Sequence, residues 1–135
     1  MIDIEREVYN DVYNAVSLLG ITGLSMSSMY EASPASFPHV YLELVSNAQD
    51  RNSQTQDNAE ERVNVMFQCS VYSNLSGSKK AEAKKIAKAV SDAMSGLNFT
   101  RTMMQPIPNL ADATIYQIIM RFTAQVDKNG RIGRR

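Results

Sequence analysis

The chain of 135 residues contains one cysteine, one histidine and no tryptophan. The lone cysteine, Cys69, cannot close an internal disulfide or supply a cysteine-rich metal site. The lone histidine, His39, has no second imidazole with which to build a metal site or a proton relay. No G-x-S-x-G is present, so nothing marks a serine as an activated nucleophile. The six glycines never fall into G-x-G-x-x-G or G-x-x-x-x-G-K, which leaves no phosphate-cradling loop. No apolar run reaches the roughly 18 residues that a bilayer-crossing helix requires. The opening MIDIEREVYN is acidic and has no apolar core, so it does not read as a signal peptide, and a cytoplasmic start is expected. On that expectation the N-x-S/T matches at Asn74 and Asn98 carry no glycan.

What the chain does contain is ordinary in amount and uneven in placement. Apolar residues make up 44% and charged residues 21%, the profile of a single globular domain. Net charge is zero, yet residues 1–62 hold ten acids against three bases, and residues 63–135 hold four acids against eleven bases. A general nucleic-acid coat would be basic throughout. A split of −7 and +7 permits a polar molecule that associates head to tail. Alternatively, folding mixes the two halves and cancels the polarity.

The stretch ERVNVMFQCSVYS, residues 61–73, alternates with period two. Val63, Val65, Phe67, Cys69 and Val71 point one way, and Arg62, Asn64, Met66, Gln68, Ser70 and Tyr72 the other. Residues 2–19 carry Ile4, Val8, Val12, Ala15, Val16 and Leu19 at helical spacing, with Gly20 set to end that helix. A short strand is expected near Ser25–Tyr30, and another, HVYLELVS, after Pro38. NAQDRNSQTQDNAEE follows with almost nothing apolar, a loop that is either mobile or ordered by a partner. Ser78 suits the N-cap of a second helix, whose buried stripe is Ala83, Ile86, Ala87, Val90 and Met94 and whose stop is Gly96. Lys80, Lys84, Lys85 and Lys88 fall on its outer side, either as a solvated face or as a surface for phosphates. Leu97–Met104 and Thr114–Val126 read as two further strands, separated by the proline-bearing QPIPNLAD. KNGRIGRR closes the chain as a basic tail, with residues 1–127 as the single domain and 128–135 as the tail.

This order predicts an α+β fold. One mostly antiparallel sheet of four to five strands carries two amphipathic helices on one face. The Asn64/Gln68/Tyr72 side then has no covering element of its own. His39, at a strand start, reads as structural or surface. Cys69, among apolar neighbours, reads as a small buried hydrophobe. The Glu60–Glu61 pair is most simply a solvated part of the loop. No enzyme is indicated and no cofactor or metal is implied. The candidate contact residues are Asp50, Arg51, Asp57, Glu60 and Glu61 in the loop, Asn64, Gln68 and Tyr72 on the uncovered face, and Lys128, Arg131, Arg134 and Arg135 in the tail.

Four stretches together resemble the small tail-completion, or tail-terminator, proteins of tailed bacteriophages. They are EREVYNDVYNAVSLLGI, FPHVYLELVS, the alternating strand with its following SGSKKAEAKKIAKAVSDAMSGL, and IYQIIMRFTAQV with Arg121, Phe122 and Ala124 in an R-F-x-A pattern. The resemblance implies a non-enzymatic virion subunit that forms a ring, usually a hexamer, on the head-proximal end of the tail tube. Such a ring ends tube growth and meets the head connector, while DNA passes through its lumen without sequence-specific binding. The partners implied are the chain itself, the tube protein and the neck proteins, with no membrane. A head-closure or neck role in the same particle, and a small nucleic-acid-binding accessory domain, stand as the alternatives.

Overall fold

The computed structural model describes residues 2–29, 37–49, 62–107 and 114–133. The first helix, α1 (Glu5–Ser17), buries Val8, Val12 and Val16. Asp3 Oδ1 accepts the Glu5 N–H at 3.0 Å, and Glu5 and Glu7 lie against the positive end of the helix dipole. Gly20 follows the helix at φ +66°. Gly23, at φ +80°, has a second constraint: a Cβ there would sit 3.1 Å from the Phe37 carbonyl oxygen.

Strand β1 (Ser25–Ser27) pairs with β2 (His39–Gln49) in parallel, the exception in an otherwise antiparallel sheet. Strand β2 pairs antiparallel with β3 (Arg62–Ser73) across a register shift at Leu44/Ser46. It extends three residues into the stretch expected to be loop, because Asn47, Ala48 and Gln49 continue the ladder opposite Val65, Asn64 and Val63. Polar side chains do not prevent this, since pairing is a backbone property. Asn47 Nδ2 also donates to the Ile2 carbonyl at 2.9 Å.

Helix α2 (Lys79–Gly96) buries the expected stripe of Ala83, Ile86, Ala87, Val90 and Met94. Its ends differ from expectation. Ser78 occupies the N-cap position, but its side chain makes no cap bond. Gly96 is the last helical residue, and the left-handed position is taken by Asn98 at φ +70°. The Phe99 N–H donates to the Met94 carbonyl at 2.9 Å and the Asn98 N–H to the Ser95 carbonyl at 3.0 Å, the paired bonds of a Schellman stop. Leu97 and Asn98 are therefore spent on ending the helix. Strand β4 (Thr100–Ile107) starts later than expected and continues through Pro106, which an edge strand tolerates.

Strands β5 (Tyr116–Asp127) and β6 (Ile132–Gly133) complete one six-stranded sheet. The order is β1-β2-β3-β5-β4, with β6 added to β5. Residues 128–131, expected to begin a free tail, form the turn into β6. Asp127 Oδ1 accepts the N–H groups of Asn129 and Arg131 at 2.8 and 2.9 Å.

Both helices pack on one face and against each other, α1 over β2 and α2 over β3, β5 and β4. The core between helices and sheet holds Val63, Phe67, Cys69, Val71, Met120, Phe122 and Val126, all essentially solvent-free. Phe99 meets Phe67 edge to face at 5.5 Å, pinning the end of α2 to the sheet.

Candidate functional site

The opposite face of the sheet follows from the same alternation. Asn64, Gln68 and Tyr72 on β3 stand in register with Gln125, Arg121 and Gln117 on β5. Each of these three pairs is hydrogen bonded. Gln117 Nε2 donates to the Tyr72 hydroxyl at 3.2 Å, Arg121 Nε to Gln68 Oε1 at 3.1 Å, and Gln125 Nε2 to Asn64 Oδ1 at 3.4 Å. Gln68 Nε2 donates in turn to the Tyr41 hydroxyl on β2 at 2.9 Å. The result is an amide-rich ladder across three strands. Cross-strand pairs of this kind contribute about 0.2–1 kcal/mol each. Donors and acceptors of neighbouring strands meet along it.

This face is not open along its whole length. His39, Tyr41 and Tyr72 are 2%, 5% and 7% exposed, and Ser70 is fully buried. Ser70 stands in register between Tyr41 on β2 and Ile119 on β5, and its Oγ has no hydrogen-bond partner among the described residues. The expectation of a wholly uncovered side therefore fails at this end. Tyr72, one of the expected contact residues, is buried in the single chain. Asn64 and Gln68 are half-buried, and Arg121 and Arg62 are exposed.

His39 anchors the buried end. Its Nδ1 lies 2.6 Å from Ser25 Oγ and its Nε2 3.1 Å from Ser27 Oγ. The Ser27 hydroxyl donates its one hydrogen to the Met29 carbonyl at 2.8 Å, so toward the imidazole it accepts. Nε2 then carries the proton, and Nδ1 accepts from Ser25. The ring ties β1 to β2, a structural role. Cys69 is also structural: burial pushes its thiol up to about 12 from its ordinary 9.0, far from a reactive thiolate. Among the described residues no group of three His, Cys, Asp or Glu side chains could hold a metal ion. No described helix is long and apolar enough to cross a membrane.

Of the other expected contact residues, Lys128 and Arg131 are exposed on the β5–β6 turn. Asp50, Arg51, Asp57, Glu60, Glu61, Arg134 and Arg135 lie outside the described residues. Four participants in the ladder, Tyr41, Gln117, Arg121 and Gln125, were not among the expected contacts, and two of them, Tyr41 and Arg121, bond to Gln68. Alternation places both on this face, but only the strand order β2-β3-β5 shows that they share a partner in Gln68.

No protein-family model matches the chain, and no curated protein matches it by sequence. Solved structures do. A chain in the virion of the native gene transfer agent (GTA) particle superposes with a TM-score of 0.61 at 21% identity, covering 89% of this chain and 91% of that one. The bacteriophage SPP1 gp17 protein aligns over 93% of this chain and 92% of its own, at 18% identity and a TM-score of 0.43. The first of these likenesses establishes a shared fold.

Proposed function

We propose that this chain is a structural virion protein of a tailed phage or phage-like particle, of the tail-completion kind. In this reading copies form a ring at the head-proximal end of the tail tube, end its polymerisation and join it to the head connector. DNA passes through the lumen without base-specific contacts, and the virion is assembled in the host cytoplasm. The observation that carries the reading is the fold shared, over nearly the full length of both chains, with a chain of the GTA virion. The arrangement of the sheet supports it: both helices lie on one face, and on the other Arg62 and Arg121 are exposed and Asn64 and Gln68 half-buried, a polar area open to another protein surface. The ring would contribute geometry and polar contacts, with no chemical step.

Native mass spectrometry and negative-stain imaging of the purified chain, alone and mixed with tail tubes, test this reading. A closed ring on one end of each tube is the expected result. Binding to isolated connectors but not to tubes would instead indicate a head-closure protein. Protection of residues 46–61 from protease is expected with tubes present; protection with DNA alone would argue for a nucleic-acid accessory domain.

A further inference from the structure

The two helices carry opposite net charge and lie over different strands. Helix α1 lies over β2, toward one edge of the sheet, and α2 lies over β3, β5 and β4, toward the other. Asp3 and α1 together carry four acids against one base, Arg6; α2 carries five lysines against two acids. On α1, Glu7, Asp11, Asn14 and Leu18 fall at helical spacing along one exposed row, and Leu18 is 89% exposed. On α2, Lys80, Lys84 and Lys88 form an exposed row of their own. Lys88 pairs within its own helix with Asp92 at 3.5 Å, and both side chains stay exposed. The basic side continues onto exposed Arg101 of β4 and exposed Arg131 beside β6.

We propose that the α1 flank, along Glu7, Asp11 and Leu18, is a docking surface for the α2 flank, along Lys80, Lys84 and Lys88, of a second copy of this chain. The proposal rests on the ring reading above and names the contact such a ring would use. The occupant follows from complementarity. A nucleic acid would answer the lysine row but leave the acidic row repelled. A second copy answers both rows, with a net three acids against a net three bases. The two patches differ, so the contact is heterologous and each copy keeps one free flank of each kind, which allows closure into a ring. Leu18 adds apolar area where charge alone would be screened.

Sedimentation velocity of the full chain, alone and with tail tubes, at about 50 mM and about 500 mM salt, tests the contact. Wild type is expected to self-associate at low salt and to weaken at high salt. The double variants Glu7→Lys/Asp11→Lys and Lys84→Glu/Lys88→Glu are each expected to lose association at least tenfold, while an equal mixture of the two restores it. Circular dichroism melts matching wild type keep misfolding apart from lost docking. Association indifferent to both variants, a mixture that fails to recover, or a wild type monomeric with and without tubes overturns the proposal. So does a Lys84→Glu/Lys88→Glu variant that loses DNA binding while associating normally. Tubes capped by both variants as by wild type would remove this contact and leave the ring reading standing. Charge-dependent association with no effect on tubes would do the reverse.

Discussion

Arg121 Nε donates to Gln68 Oε1 at 3.1 Å, directly across the β3–β5 pair, and so ties an exposed guanidinium to the amide face. The bond is near solvent and contributes modestly to folding. Its exposed placement on the helix-free face makes Arg121 the residue at which the proposed contact can be tested.

Arg121→Ala is therefore expected to shift stability by no more than about 1 kcal/mol in urea denaturation. Head–tail joining, scored by complementation of a particle lacking the wild-type chain, is expected to fall severalfold. Normal joining with this variant would remove Arg121 from the contact surface.

Asn98 combines a left-handed backbone with a side-chain bond, since its Nδ2 donates to the Ile132 carbonyl at 3.1 Å. Asn98→Ala loses both compatibilities and is expected to cost about 1–2 kcal/mol. Asn98→Gly keeps the backbone and loses the bond, so it should be the milder variant. Equal costs in thermal melts would count against the backbone argument.

The buried Cys69 thiol makes stability depend on alkaline pH. Its folded value is raised to about 12, so the unfolded chain releases this proton first as pH rises. The contribution is complete below about pH 9 and declines by roughly 1.4 kcal/mol per pH unit from there toward 12. Cys69→Ala should lose this component of the alkaline slope while being less stable at neutral pH. Native protein should also resist thiol reagents at pH 8 and react on unfolding.

His39 bridges two serines from a site that is 2% exposed. Ser25→Ala leaves Nδ1 without its donor and is expected to cost about 1–3 kcal/mol. His39→Ala should cost more, through the cavity as well. Neither change should alter any chemistry, and a stable His39→Ala protein defective in assembly would contradict a purely structural role.

The two helical stripes and the strand alternation were legible residue by residue, because a period of 3.6 or 2 leaves apolar side chains on one side whatever the chain packs against. Val8, Val12 and Val16, and Val63 through Val71, lie where that rule puts them. Boundaries were less legible. Asn47–Gln49 joined β2 and Ile132–Gly133 joined β5 through backbone bonds that ignore side-chain polarity. The end of α2 depended on Asn98 accepting a left-handed turn that Gly96 was better suited to take.

The sequence by itself determined the fold class and the faces of helices and strands, since each of these depends on local period and residue chemistry. It could not say that acidic α1 and lysine-rich α2 would lie over different strands, or that His39, Tyr41, Ser70 and Tyr72 would be interior. Those were decided by strand order. Putting β2 toward one edge and β4 at the other sets α1 over β2 and α2 over β3, β5 and β4, and placing β3 between β2 and β5 sets Ser70 in register with Tyr41 and Ile119.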